Sequence, residues 1–419
     1  MDAESPKLQS LISKFNFMRI LYLSQLVPYP ADAGPKVRIY HVLQYLAHAG
    51  HEVTLAAFCR ENDTLEQIDH MRQYCTAVYT VLMRRSRLKD MWFLGTSLLR
   101  RRPFLIERDK AAEMNQLIAR LLREQTFDAV HADQLWMAQY ALAAKTAAPQ
   151  INTVLDQHNA MYLIPQRLAD SGSNPVQKAL LSIESGNMSR YEVDVCRQFD
   201  QVVWVTAEDK AAVAQVANQN GETIRGPVIP ICVDPETKQV IPPTAKPCRV
   251  TFLGGLHWPP NADGILWFAE EVWPLIQKKL PDALFTVIGK DPPAKLTTMP
   301  LTGLDVTGYV DDPRPYLAET AAFIVPLHAG GGMRVKIVDG WSWGLPIVST
   351  TIGAEGIQYE DGRDILIADN TKTFAEAVTK LFRQPELANS LRKSGRSALE
   401  AHYDWRAQYT AWDDIYTDS

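Results

Sequence analysis

The chain has 419 residues, of which 46% are hydrophobic and 22% charged, and its formal charge is −5. That length exceeds what one core usually fills, so two domains are expected, and the composition is that of a globular protein able to bury real cores. A slightly acidic balance gives no global basic field, which excludes nucleic acid as the main partner and makes any anion site a local one.

The five cysteines are scattered without metal-ligand spacing, as suits reduced thiols in a cytoplasmic protein. Residues 1–17 lack the long apolar stretch and small-residue cleavage site of a secretory signal. No run approaches the roughly 18 apolar residues that span a bilayer.

In chain order, "MRILYLSQL" (18–26) reads as a strand, "VPYPADAGPK" as a Pro/Gly loop, "VRIYHVLQYLAHAGHE" as a helix and "VTLAAF" as the next strand. Strand, helix, strand is a βαβ unit and implies a parallel sheet. The pattern continues through "FDAVHAD" (127–133), "NTVLDQHN" (152–159) and "QVVWVTAED" (201–209). "VIPPTAKPC" (240–248) carries three prolines in nine residues and marks a domain boundary. A second series follows in "RVTFLGG", "ALFTVIGK", "LDVTGYV", "AAFIVPL", "LPIVSTT" and "DILIADN". The expected domains are 1–238 and 247–402, with a final helix at about 403–419.

Ligands of open parallel sheets bind beyond the carboxyl ends of the strands, which directs attention to the loops there. After "AAFIVPL" comes "HAGGGMRVKIVDGWSWG" (328–344), a glycine loop running into a helix over 334–343. Glycines admit a ligand close to the backbone, and a first helical turn offers unpaired N–H groups and partial positive charge. With Arg334 and Lys336 beside them, these groups suit a departing diphosphate, and Asp339 can accept hydrogen bonds from vicinal hydroxyls. The competing reading is a structural turn with solvated cations.

"GGGMRVKIVDGWSWGLPIVSTTIGAEGI" resembles the C-terminal donor signature of retaining glycosyltransferases of family 4. "LYLSQLVPYPADAGPKVRIYHVLQYLAHAGHEVTLAAF", "FDAVHADQ", "LDQHN", "TFLGGLHWPPN", "FTVIGKDP" and "VTGYVDD" follow the family's order, so the resemblance covers nearly the whole chain. It implies the GT-B fold: two facing Rossmann-like doubly wound domains with an interdomain cleft.

The resemblance also implies roles. Arg334, Lys336 and the amides of Gly330, Gly331, Gly332 and Met333 match the groups that bind the donor diphosphate. Asp339 matches the second Glu of the family's Glu-x7-Glu motif, which binds ribose, while the first falls at Gly331. Tyr309 and Val310 match the segment whose backbone reads the nucleobase. Gly254 and Gly255 stand where many relatives carry an Arg and a Lys for the phosphates. Gly34 matches the acceptor-side glycine loop, followed here by Pro35. Asp133 stands where relatives have the second His of His-x-His, which contacts the transferred sugar, and His158 lies at another strand end.

The reaction so implied is retaining transfer from a nucleoside-diphosphate sugar, UDP- or GDP-linked, to a hydroxyl of a glycan, lipid-linked or small-molecule acceptor. It calls for no cofactor and no metal. A non-catalytic nucleotide-sugar scaffold and a GT-B epimerase are the alternatives. The segment 84–104 holds seven basic residues and one acid around an apolar centre, a composition that suits either peripheral contact with the inner membrane face or a core-facing helix. "YDWRAQYTAWDDIY" near the end spaces aromatic residues as a helix would, and Trp405 and Trp412 read as packing anchors.

Overall fold

Short apolar runs separated by helical stretches form two parallel sheets. The computed structural model describes residues 17–417 apart from 33, 85–86, 172–173 and 220, so the reading of residues 1–16 lies outside it. The chain divides into two compact units: Met1–Cys232 with Trp405–Ser419, and Val233–Asp404.

The first unit is built on β1 (Arg19–Ser24), β2 (Glu52–Cys59), β3 (Ala77–Leu82), β4 (Ala129–Asp133), β5 (Asn152–Gln157) and β6 (Gln201–Trp204). Their order is β3-β2-β1-β4-β5-β6 and all pair in parallel. Alternation splits β1 between two cores: Leu21 and Leu23 pack on one face, Ile20 and Tyr22 on the other. Helix α1 (Gly34–His48) follows β1 and buries Val37, Ile39, Val42, Leu43 and Leu46. It ends in a Schellman motif: Gly50 sits at φ +90°, His51 N–H donates to Leu46 O and Gly50 N–H to Ala47 O. Helix α2 (Arg87–Arg100) lies within the basic segment, and α3 (Leu135–Ala147) follows β4. Trp405, Tyr409, Trp412 and Tyr416 fill the same core as α1.

The second unit contains β7 (Arg249–Leu253), β8 (Leu284–Ile288), β9 (Leu304–Gly308), β10 (Thr320–Val325), β11 (Ile347–Ser349) and β12 (Leu366–Ile367), ordered β12-β11-β10-β7-β8-β9. Read outward from its first strand, this is the topology of the first sheet. Helix α4 (Pro259–Trp267) follows β7, and α5 (Val335–Ser342) follows β10. Beyond α4 the helix widens to i→i+5 bonding over Phe268–Val272, where Pro274 has no N–H to continue the ordinary ladder.

The proline-rich stretch 240–248 is a correction to the expected boundary. Ile241 N–H donates to Trp343 O, Thr244 N–H to Ala318 O and Cys248 N–H to Glu319 O, so the stretch is bonded into the second unit. The division falls upstream, between Cys232 and Val233.

Candidate functional site

In a doubly wound sheet the crossovers leave opposite faces at one point, and a crevice opens there beyond the strand ends. The order places that point between β7 and β10 in the second unit and between β1 and β4 in the first.

In the second unit, β10 is wholly buried and its exit is pressed against α4: a Cβ on Gly264 would lie 2.3 Å from the Pro326 carbonyl oxygen. The glycine loop then turns through Gly330 at φ +128° and Gly332 at φ +75°, left-handed conformations that favour glycine. Arg334 folds back under it. Its Nη1 donates to Gly331 O at 2.6 Å and Gly332 O at 3.1 Å, its Nε to Ile352 O at 3.2 Å, and its Nη2 to Glu355 at 3.2 Å. The residue is only 7% exposed, and a Cβ on Gly330 would lie 3.0 Å from Nη2. Arg334 therefore shapes the loop from inside.

Lys336 is placed differently. Its Nζ donates to Asn261 Oδ1 at 2.8 Å and stands 4.4 Å over the Phe252 ring. Asn261 Nδ2 in turn donates to Gly255 O at 2.7 Å. Gly254 leaves the space for this: a Cβ there would come within 3.0 Å of Nζ. The residue as a whole is half-buried but its ammonium is enclosed. Burial first, and Arg334 second, pull its pKa down to about 7, opposed by Asp339. The sequence treats the two cations as equals, whereas the structure commits Arg334 to the loop and keeps Lys336 beside the β7 exit.

Asp339 pairs with Lys238, whose ammonium also lies 5.1 Å over the Trp343 ring. Met333 and Gly332 are buried and Gly331 is half-buried. Tyr309 is 61% exposed with the Lys290 ammonium 4.4 Å over its ring, and Val310 beside it is half-buried.

In the first unit, Gly34 opens α1, and one turn later Arg38 points into the sheet's carboxyl edge. Its Nε and Nη2 bond both oxygens of Asp156, at 2.9 and 2.8 Å, and its Nη1 bonds Ile229 O and Pro230 O at 2.6 and 2.7 Å. Both side chains of this pair are 0% exposed. The Trp412 ring lies 5.2 Å from the guanidinium. His158 Nε2 approaches Asp133 Oδ1 at 2.9 Å and Asp156 Oδ2 at 3.6 Å. The Asp133 approach lies off the ring's N–H direction, so it is a charge contact, and both His158 nitrogens and Asp133 Oδ1 are buried without a hydrogen-bond partner.

The electrostatics follow from these distances. Burial alone disfavours an imidazolium, but Asp133 and then Asp156 override it, and His158 is pushed up to about 9. Burial raises the Asp133 carboxyl, and His158 opposes that rise. Burial would also raise Asp156, yet Arg38 and His158 hold it well below the usual carboxylate range. The donor atoms of Asp133, Asp156 and His158 lie within 4.8 Å of one another, and Arg38 already bonds both Asp156 oxygens. Gln134, at φ +66°, is a strained non-glycine residue that starts α3 and bonds Asp133 Oδ2 at 3.4 Å. His131 is stacked on Tyr22 and bonded to Tyr416, and burial pushes it down to about 3.

Sequence reasoning missed Arg38, Asp156, Asn261, Lys238 and Glu355. Arg38 carried a signal: it lies at i, i+4, i+8 with Val42 and Leu46, so an arginine on an apolar stripe demanded a buried counter-charge. Of the basic segment, residues 85–86 and the side chains of residues 87–89, 91, 92, 94 and 98 lie outside what the structure describes. Phe93 is half-buried, Ser97 buried and Leu99 86% exposed. No helix among the described residues is long and apolar enough to cross a membrane.

Two sheets of this order, with a glycine-lined cradle at the switch point of the second, define the two-domain α/β architecture known as GT-B. Residues 33–237 match Glycosyltransferase Family 4 and residues 247–384 match Glycosyl transferases group 1. The chain belongs to the group 1 glycosyltransferases of family 4, and it is a glycosyltransferase. It is 21% identical to an uncharacterized 44.6 kDa protein of the cps region of Klebsiella pneumoniae, over 94% of this chain and 98% of that one. Its fold is similar to that of Anabaena HepE crystallised with UDP and glucose, with a TM-score of 0.68 at 14% identity over 96% of this chain and 100% of that one. A Rickettsia africae glycosyltransferase has a TM-score of 0.64 at 13% identity, covering 96% and 98%.

Proposed function

We propose that this protein moves a sugar, with retention of anomeric configuration, from a nucleoside-diphosphate sugar to a hydroxyl of a glycan, lipid-linked or small-molecule acceptor. The observation that carries the reading is the cradle at the β7/β10 switch point, where Lys336 is held beside a glycine loop and a helix N-terminus. UDP is the first candidate nucleotide, because HepE was crystallised with UDP and with UDP-glucose, and GDP is the second.

In this reading the C1–O bond to the β-phosphate breaks while the acceptor oxygen bonds C1 from the same face. The acceptor proton passes to the departing phosphate oxygen. Lys336 and the amides of residues 330–333 stabilise the charge that grows on the diphosphate. Arg334 acts from beneath by fixing the loop. Asp339, held by Lys238, receives the ribose hydroxyls, while Tyr309 and Val310 adjoin the base. In the first unit, Gly34 admits the acceptor, and His158, kept cationic by Asp133, donates to a sugar or acceptor hydroxyl. Positioning and leaving-group stabilisation supply the rate, and neither a protein nucleophile nor a metal is called for. The enzyme works in the cytoplasm, and the 84–104 segment lets it rest on the inner membrane face.

Thermal melts with UDP, GDP, ADP and their sugar conjugates test the donor. One base class is expected to raise the melting temperature of the wild type. Lys336→Ala should abolish that rise, and Arg334→Ala should lower the melt even without ligand. If no nucleotide at millimolar concentration shifts the wild type, the donor reading fails and a non-catalytic scaffold replaces it. Proton NMR of the product tests retention, which an inverted anomeric centre would refute.

A further inference from the structure

The exit of the first strand of this unit is Gly254-Gly255, which carries no charge of its own, and the cation beside it is Lys336, from the helix after β10. A lysine ammonium is a mobile charge on a flexible stem, and holding it still before the ligand arrives removes an entropy cost from binding. The structure supplies the holder. Asn261, on the first turn of α4 and 8% exposed, accepts from Lys336 Nζ at 2.8 Å and donates to Gly255 O at 2.7 Å. Its backbone N–H donates to Trp258 O at 3.0 Å, so the β7–α4 turn holds the residue by its backbone and by the Nδ2 end of its amide, while Oδ1 takes the lysine. Among the described residues, Asn261 is the one hydrogen-bond acceptor of the Lys336 ammonium, which leaves N–H donors that no protein acceptor takes up.

We propose that Asn261 is a positioning residue of the donor site: its side-chain amide ties the Lys336 ammonium to the Gly254-Gly255 turn and aims it at the leaving diphosphate. Arg334, spent on Gly331 O, Gly332 O, Ile352 O and Glu355, supplies the loop's shape instead. The inference rests on the donor reading above.

The charged groups around Lys336 are Arg334 and Asp339 on its own segment, with Lys238 and Glu355 paired to those two; β7 and α4 present the neutral Phe252 and Asn261. Lys336 titrates at about 7, so binding an anion takes up a proton above that pH and affinity falls as pH rises through it. An amide oxygen that accepts from the ammonium favours the charged form, and a carboxylate at 261 would favour it more.

The experiment is calorimetric titration of the full chain with UDP-glucose and with GDP-mannose, whose diphosphates do not titrate in this range, between pH 6 and 9. It is run for wild type, Asn261→Ala, Asn261→Asp, Lys336→Met and the Asn261→Ala/Lys336→Met double variant, each first checked for a cooperative melt. Asn261→Ala is expected to weaken binding roughly 10-fold in the wild-type background and by less than about 2-fold in the Lys336→Met background, because its effect runs through the lysine. The pH at which affinity falls should move down in Asn261→Ala and up in Asn261→Asp. If wild type binds neither nucleotide sugar, the donor reading itself fails. If wild type binds, but Asn261→Ala weakens binding by the same factor in both backgrounds and at every pH, Asn261 is merely structural and the positioning role is overturned.

Discussion

Replacing Asp133 by Asn removes one carboxylate from the buried cluster of the first unit and leaves His158 to Asp156, which Arg38 already holds. At 2.9 Å and an effective dielectric near 20, the attraction between Asp133 and the His158 imidazolium is roughly 6 kcal/mol, or about four pH units. Burial of Asp133 offsets part of this, as its raised carboxyl pKa shows. The His158 midpoint should therefore fall from about 9 by at least about two pH units, to neutrality or below. Histidine-selective ¹⁵N NMR across pH 5 to 10 reads the midpoint directly. Two consequences follow. In the wild type, His158 adds roughly 3 kcal/mol of stability, the equivalent of moving from 6.5 to about 9, which is fully present below pH 6.5 and lost as pH rises through about 9. In Asp133→Asn that alkaline loss should vanish. Transfer activity should also be weak at pH 8 and partly recovered at pH 6, where His158 regains its proton. A midpoint within half a pH unit of wild type would show that Asp133 does not set the charge of His158, and the cationic role assigned to it would be wrong.

Two further outcomes are expected. Arg38→Met strands the buried Asp156 carboxylate and two carbonyls, and should destabilise the first unit by about 3–5 kcal/mol by urea unfolding. Adding Asp156→Asn should recover part of that loss, whereas additive losses within about 0.5 kcal/mol would mean the two residues are not coupled. Gly264→Ala drives a Cβ to 2.3 Å from the Pro326 carbonyl, a clash of backbone with side chain that neither partner can relieve by rotation. It should cost about 1–3 kcal/mol and displace the β10 exit, so that nucleotide binding falls with the melting temperature. An unchanged melt would show that α4 and β10 do not fix each other.

Periodicity made most of the fold legible, because fully buried parallel strands read as continuous apolar runs between helical stretches. The exception was β3, Ala77–Leu82, an edge strand in which only Val78 is buried. The proline count misplaced the domain division for a related reason: prolines forbid helix and central strand, yet the residues between them still donate N–H groups, and here those bonds tie the stretch to the second unit. Of the sites, the glycine loop was legible because it is contiguous. The first-unit cluster was legible only in part, since Asp133 and His158 sit at strand ends while Arg38 meets Asp156 across 118 residues.

The hardest feature to read was the difference between the two cations, and the reason is physical. Arg334 and Lys336 are two positions apart, and in the sequence both simply follow a glycine loop. Arginine carries a rigid fork of donors that can satisfy several carbonyls at once, so folding a tight, carbonyl-rich turn around it is favourable and consumes it. Lysine carries a point charge on a long stem and cannot bridge such a turn, but it can be swung over Phe252 and caught by a single amide. The same loop thus sorts its two positive charges by shape. The capturing amide, Asn261, lies 75 residues away in sequence, where nothing local distinguishes it from an ordinary polar residue in a first helical turn.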